Sequence, residues 1–492
     1  MAKTNYPLIA GLTISATLGG LLFGYDTAVI SGATEAITHN FVAPRGLPEG
    51  AANFLSGLAI SCALLGCVIG AGLAGPISTS VGRRGGLIIA GILFFVSSLG
   101  AGFPEFFWSL LGFDGANALP IFIFYRVMGG TAIGMASMLA PMYIAEVAPP
   151  AIRGMLVTFQ QIAIVLGINL VYFVNWYIQS IGDHGFLMDL GWRYMLASAA
   201  IPSVLLIGFM LMVPETPRFL VLKDKNSQAL ALLKRLVGAD KADSTLKEIK
   251  DSLIEHTRPL LSYGWLVLIV GILLSVFQQV VGINAVLYYA PRMFENMGAS
   301  TNEAFWYSAV FVGVTMTLFT LVATVTVDRL GRKPLLITGA VVMAAAMLVI
   351  GSLFNAHLVS ATGVDGASSS TSSMVAVGAV VVYIMGFSFS WGPVTWVMLS
   401  EIFPNSIKGK AMSIAVAAQW VTNFIVSQTF PMMDGSSWLN AMFNHGFSYW
   451  LYSAASLIAA VFVWKYVPET KGRTLEAIEQ FWHRKTAETR GA

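Results

Sequence analysis

Charge is scarce in this 492-residue chain: 11% of its residues are Asp, Glu, Lys or Arg, against 56% hydrophobic. So few charges cannot cover the surface of a soluble protein of this length, and the balance is that of a membrane protein. Cysteine is nearly absent. Cys62 and Cys67, the only two, lie five apart on one apolar stretch, about 140° apart around a helix, so they cannot pair with each other and read as small core residues. No metal-ligand spacing, nucleophile–base motif or phosphate-binding loop occurs, which excludes the common enzyme classes and implies no cofactor. The six histidines (His39, His184, His256, His357, His445, His483) all fall in loops or near the ends of apolar runs, so none is assigned a buried proton-relay role. No Asn-x-Ser/Thr sequon is present.

Long apolar runs are what the chain has. Twelve stretches of about 20 residues, enough to cross a bilayer, lie near 8–31, 52–76, 86–103, 120–143, 155–180, 193–213, 263–288, 304–327, 335–355, 374–400, 409–430 and 446–467. They are called spans 1 to 12. Span 1 has no small-residue cleavage site behind it and eleven spans follow, so it reads as a retained helix. All but four of the 28 Lys and Arg lie at the termini or in even-numbered loops; Arg45, Arg193, Arg292 and Arg126 are the exceptions. Both termini are therefore expected in the cytoplasm. The net charge of +3 is this bias, spread over six cytoplasmic patches, and not a nucleic-acid footprint. Residues 214–262 are the one long polar cytoplasmic stretch, with two amphipathic helices for which Ser227 and Ser244 are candidate N-caps. The Gly/Ser/Thr-rich run 362–373 reads as an outer loop.

The chain repeats itself. Gly82-Arg83-Arg84 recurs as Gly331-Arg332-Lys333, Glu146 with Arg153 as Glu401 with Lys408, and Pro214-Glu215-Thr216-Pro217-Arg218 as Pro468-Glu469-Thr470-Lys471-Gly472-Arg473, at offsets of 249 to 255. Parallel duplication of this kind is an architecture of transporters that rock about a central site. These motifs, in this order and spacing, resemble the sugar porters of the major facilitator superfamily over nearly the whole chain. The resemblance implies an all-α membrane fold of twelve helices in two six-helix bundles, 1–213 and 263–467, joined by cytoplasmic helices at 214–262 and followed by a short tail, 468–492.

Arg or Lys at a helix end faces the carbonyl pole or a neighbouring Glu, and such pairs can latch one bundle to the other. The candidates for cytoplasmic gating are Arg83, Glu146, Arg153, Glu215 and Arg218 in the first half, and Asp328, Arg332, Glu401 and Lys408 in the second. Two departures from the family pattern stand out. Thr79 and Ser80 replace an acid or Asn and an Arg before Gly82, and Lys408 replaces an Arg, so it cannot form a two-pronged bond with a carboxylate. Both imply a weaker latch.

Asp26 and Arg126 are the clearest charges inside spans. Each is five or six residues from the outer end of its helix, roughly 8 Å deep by helical rise. Facing one another they escape much of the cost of isolated charge in lipid, and a carboxylate that trades an Arg partner for a proton is what proton coupling needs. The residues around Asp26 resemble the proton-coupled xylose porters of the family, whereas sugar facilitators usually carry Asn there.

An uncharged sugar calls for amides to exchange hydrogen bonds and aromatics to stack, with no net charge. On the helical wheel of span 7, Gln278, Asn284, Tyr288 and Tyr289 share one arc, and Gln279 points elsewhere unless the helix loosens at Gly282. The family resemblance implies a monosaccharide site of Gln161, Gln278, Gln279, Asn284, Trp396 and Gln419, with Tyr288, Gly392 and Trp420 beside it. Trp391 and Asn423 belong to the same set. Gly392-Pro393 is expected to break span 10 and form a gate. Ile168, Met316 and Ala199 stand where the xylose porters carry Gln, Asn and Glu, which leaves substrate choice and proton affinity open. The expectation is import of a pentose or hexose, D-xylose before D-glucose, by proton symport across a bacterial inner membrane, with a monomer sufficient. A uniporter with a static Asp26–Arg126 pair is the rival. A sugar sensor is a different class that would need a long cytoplasmic tail, and only about 20 residues follow Pro468-Glu469-Thr470.

Overall fold

The computed structural model describes residues 5–110, 118–149, 152–253, 259–359, 370–471, 478 and 480–482. Gly472, Arg473, most of the 362–373 loop, the end of the linker at 254–258 and the tail beyond 482 lie outside the described residues. Among the described residues the regular structure is helical, with no strand.

Spans 1 to 6 are Tyr6–Gly32, Glu49–Ser80, Arg83–Gly102, Leu119–Val147, Arg153–Ser180 and His184–Met212. Spans 7 to 10 are Trp265–Asn296, Thr301–Val327, Arg332–Asn355 and Thr371–Ile402, and span 12 is Phe447–Tyr466. These eleven are long and apolar enough to cross a membrane. Span 11, Asn405–Asp434, has 30 residues, so length does not disqualify it. Its buried Gln419, Asn423 and Gln428 make it the most polar of the set, a price in apolarity that the functional site below explains.

Two spans are interrupted, both next to site residues. Span 7 is two helices, Trp265–Val280 and Ile283–Asn296. Between them Gly282 has φ +95°, and a Cβ there would lie 2.6 Å from the Tyr452 ring. Span 10 is Ser370–Ser388 and Trp391–Ile402. The break falls at Phe389 and Ser390, just ahead of the expected Gly392-Pro393. A proline ring crowds the carbonyl four residues before it and supplies no N–H, so Pro393 distorts the chain at Phe389 rather than at itself.

The linker helices differ from expectation at their starts. They run Asn226–Val237 and Ala239–Leu253, after a short Pro217–Leu222 helix. Ser227 and Ser244 lie inside them rather than at N-caps, and the Ser244 hydroxyl donates to the Lys241 carbonyl instead. Gly238, at φ +91°, separates the two, and Ala229, Leu232, Leu233 and Leu236 form the buried face.

The chain divides into two compact units. The first comprises Met1–Thr27, Leu65–Ile168 and Leu196–Thr257. Within it spans 1 and 5, and spans 2 and 4, meet backbone to backbone. A Cβ at Gly24 would lie 1.8 Å from the Ile164 carbonyl oxygen, and one at Gly66 2.0 Å from that of Val127. Such close approach is how helices gain contact where lipid offers no hydrophobic drive, and it fixes the helices that carry Asp26 and Arg126. The second unit comprises Ala28–Leu64, Asn169–Met195 and Arg258–Ala492. Here the ends of spans 1, 2 and 5 that Lys/Arg placement assigns to the outer side pack with the second half of the chain. Asn169 donates to Thr317 Oγ1 at 3.0 Å, Tyr172 to the Leu287 carbonyl at 2.6 Å, and Trp176 Nε1 to Asn302 Oδ1 at 3.1 Å. Cys62 and Cys67 are both buried and not joined in a disulfide.

The geometry at Gly282 makes a direct prediction. Gly282→Ala forces a side chain into a left-handed conformation that costs roughly 1–2 kcal/mol and drives it into Tyr452. The purified variant is expected to melt below the wild type in a thermal unfolding assay, with sugar affinity reduced at least as much as stability.

Candidate functional site

Asp26 and Arg126 meet inside the membrane. Arg126 Nη1 lies 3.2 Å from Oδ1 and 3.3 Å from Oδ2 of Asp26, and the two residues are 4% and 2% exposed. One nitrogen is thus shared between both carboxylate oxygens, and Arg126 Nε has no hydrogen-bond partner. This is a weaker arrangement than the two-nitrogen fork that makes Arg–carboxylate pairs strong. Gly129 lets Ser97 pack close by: a Cβ there would come 2.7 Å from Ser97 Oγ and 3.8 Å from Asp26 Oδ2.

In the second unit the amides of spans 7 and 11 form one connected network. Gln278 Nε2 donates to the carbonyls of Trp391 and Gly392, at 3.1 and 3.3 Å. Gln278 Oε1 accepts from Gln279 at 3.3 Å and from Gln419, and Gln279 Oε1 accepts from Asn284. The break at Gly282 brings Gln279 into this set, which a continuous helix would not do. The carbonyls that receive Gln278 lie in the first turn of the helix after the break in span 10. Gln419 Oε1 is buried without a partner, leaving an acceptor for a hydroxyl donor at a cost of about 1–3 kcal/mol when unmet. Tyr288 and Trp420 are buried beside this network in sequence, Tyr289 donates to the Ser427 carbonyl at 3.3 Å, and Trp396 is half-buried. Trp391 is fully buried and donates to the Leu336 carbonyl at 2.9 Å, so its indole serves packing. Gln161 is half-buried on span 5 of the first unit. Ile168, Ala199 and Met316 are all buried.

The duplicated charge motifs build the same knot twice, each within its own half. Arg83 donates from Nε and Nη2 to Glu146 Oε1 at 3.1 and 2.8 Å, and Thr216 to Glu146 Oε2 at 2.6 Å. Arg332 donates from Nε and Nη2 to the two oxygens of Glu401 at 3.1 and 2.9 Å, and Thr470 to Glu401 Oε2 at 2.6 Å. Glu215 accepts from the backbone N–H groups of Arg83 and Arg84, and Glu469 from those of Arg332 and Lys333. Spans 3 and 9 both start at these residues, after Gly82 and Gly331 at φ +98° and +93°. Each Pro-Glu-Thr glutamate therefore caps the positive end of a helix from another part of the chain. Arg153 is exposed and Arg218 half-buried. Lys408 is half-buried. Asp328 lies just past span 8, in the helix Thr315–Leu330, its side chain outside the described residues.

Four participants were not anticipated: the hydroxyls of Thr216 and Thr470, the carboxylate of Glu469 as a cap, and Arg84, which donates to the carbonyls of Met210 and Leu211 at the end of span 6. The repetition of Glu-Thr in both motifs was the available signal. A hydroxyl one residue from a carboxylate is too common to be singled out without the fold.

The described residues thus form a duplicated, all-helical structure whose spans carry a network of uncharged amides and the buried Asp26–Arg126 pair. A family model for sugar (and other) transporters matches residues 12–482. The D-xylose-proton symporter of Escherichia coli strain K12 is 48% identical over 99% of this chain and 98% of its own length. The glucose facilitated diffusion protein of Zymomonas mobilis is 41% identical over 98% of this chain and 99% of its own. The inward-open structure of the xylose transporter XylE from E. coli matches at a TM-score of 0.84, with 46% identity and 96% of this chain covered against all of that one. The chain belongs to the sugar transporter family of the major facilitator superfamily. It is a multi-pass membrane protein with the twelve-helix fold of that superfamily, in a family of transporters rather than enzymes.

Gln278 holds the centre of the amide network, so Gln278→Ala removes a buried partner from Gln279, Gln419 and any sugar. Affinity for sugar is expected to fall roughly 5- to 150-fold, from about 1–3 kcal/mol per lost buried partner. Calorimetry on the purified variant measures this, and an unchanged affinity removes that face of span 7 from the site.

Proposed function

We propose that this transporter imports a monosaccharide by proton symport, with D-xylose its first substrate and D-glucose a close second. The observation that carries the coupling is the Asp26–Arg126 pair, buried in the membrane and held through a single guanidinium nitrogen. Protonation of Asp26 removes its charge, weakens its hold on Arg126 and relieves the cost of a carboxylate in a dry site. The proton and the sugar are the two partners, and no cofactor takes part. Gln161, Gln278, Gln279, Asn284, Tyr288, Gly392, Trp396, Gln419 and Trp420 receive the sugar, and the bundles 1–213 and 263–467 rock about it, linked by 214–262. The Arg83–Glu146–Glu215 and Arg332–Glu401 knots form the rigid cytoplasmic corners of that movement, with Arg153, Arg218, Asp328 and Lys408 around them. The chain acts in a bacterial inner membrane, both termini cytoplasmic, and a monomer suffices. The xylose-proton symporter among its relatives supports this reading. The glucose facilitator among them favours the rival, a uniporter in which the pair is static.

Asp26→Asn separates the two. It is expected to abolish uphill, pH-dependent accumulation in proteoliposomes while sugar exchange and binding persist. Concentrative uptake that survives in the variant assigns the proton site elsewhere.

Selectivity offers a second prediction. Ile168 and Met316 present no hydrogen bonder where the xylose porters carry amides, so this protein should discriminate less between D-xylose and D-glucose than those porters do. Ile168→Gln combined with Met316→Asn is expected to shift competition uptake towards xylose, by about 5- to 10-fold for one regained hydrogen bond. An unchanged xylose-to-glucose ratio at normal membrane expression refutes this account.

A further inference from the structure

Four residues of span 2 at four-residue spacing, Glu49, Asn53, Gly57 and Ser61, line one face, and each meets span 11 or the loop that follows it. Glu49 Oε1 accepts from the backbone N–H of Ser437 at 2.7 Å. Asn53 Nδ2 donates to the Gly435 carbonyl at 2.9 Å. Gly57 admits Gln428, since a Cβ there would lie 2.7 Å from the Gln428 carbonyl oxygen and 2.9 Å from its Nε2. Ser61 donates to Gln428 Oε1 at 3.0 Å, while Gln428 Nε2 donates to the Phe54 carbonyl at 2.8 Å. The rungs run about 18 Å along the helix by its rise, from the exposed Glu49 to Ser61 at 0% exposure. Gln428 is 6% exposed and spends both ends of its amide on span 2.

We propose that this stripe is a polar zipper that holds the outer side closed, with Gln428 as the positioning residue that sets how often it opens. It rests on alternating access, a property of the fold, and not on the choice of sugar or on proton coupling. Span 2 belongs to the first half of the chain and span 11 to the second, and all these residues lie at the end that Lys/Arg placement makes outer. Opening that side must part them. The bonds are polar, so each group that leaves the zipper can be satisfied by the water that enters, and the net gain per bond stays small. A seam of apolar side chains would expose hydrocarbon at every opening and resist the cycle. Gln428 contributes the two deepest rungs, where water is least able to compete, so it carries the largest share of the balance. It is placed to act on the closed-to-open ratio without any role in binding sugar.

The test uses the full-length protein without sugar, so that failure of the transport reading and failure of the zipper are distinguishable. Spin labels go on cysteines introduced at the exposed positions Ser180 and Trp438, outer ends of span 5 and the loop after span 11, with Cys62 and Cys67 replaced by Ala. Double electron–electron resonance in nanodiscs reads the populations of short and long distances. Gln428→Leu, which keeps the volume, is expected to raise the long-distance population relative to the short about 5- to 10-fold. Ser61→Ala should raise it less, and the double variant little beyond Gln428→Leu, because the two share a bond. A merely structural role would lower thermal stability and leave the distance distribution unchanged. Wild-type distributions in both single variants overturn the proposal. If Gln428→Leu fails to fold, Ser61→Ala and Asn53→Ala carry the same test, and unchanged populations in those two overturn it as well.

Discussion

Lipid supplies no hydrogen bonds, and this constraint shapes every unusual feature of the chain. A polar group at membrane depth must find its partner inside the protein or cost several kcal/mol. Span 7 opens at Gly282 and span 10 at Phe389–Ser390. Tyr383 donates to the Val281 carbonyl at the first break, and Gln278 donates to the carbonyls of Trp391 and Gly392 in the first turn after the second. Gln278 therefore ties the two interrupted spans to one another.

The same constraint explains the symmetry of the helix ends that carry the duplicated motifs. A helix that begins at the membrane face leaves its first N–H groups unpaired. Spans 3 and 9 begin with glycines in the left-handed region and receive their caps from glutamates more than 130 residues away in the chain. The cap glutamate is followed by a threonine that holds a second glutamate, which in turn holds the first arginine of the capped helix. Three elements are tied by one short motif, and duplication of the motif produces a second tie of equal design. Such ties stiffen a half without linking it to the other, which is the condition for two halves to move as bodies.

Much of this was legible in the sequence, for reasons that lie in particular residues. The spans announced themselves by length and apolarity, except that span 11 is diluted by Gln419, Asn423 and Gln428, the residues that give it a purpose. Asp26 and Arg126 stood out because charge inside a span is expensive, and they meet. Gln279 was legible only as a condition on Gly282, since one glycine inside a helix does not reveal whether the helix breaks there. The linker helices were recognised by their apolar face, while their starts were missed because Ser227 and Ser244 resemble caps and Gly238, which sets the boundary, is a weaker sign. The outer rungs of span 2 were invisible. Glu49, Asn53 and Ser61 bond partners more than 360 residues away, mostly backbone atoms, and a backbone partner leaves no mark in the amino-acid sequence.

Three of the arginine–carboxylate pairs among the described residues differ in how their bonds are made. Arg332 gives two nitrogens to the two oxygens of Glu401, Arg83 gives two to one oxygen of Glu146, and Arg126 gives one to both oxygens of Asp26. The first two are reinforced by a threonine hydroxyl on the same carboxylate. A bond meant to last is best made with a fork and a third partner, because every donor must be lost before it parts. The Arg83–Glu146 and Arg332–Glu401 pairs follow that rule, and the single-nitrogen pair of Asp26 and Arg126 does not.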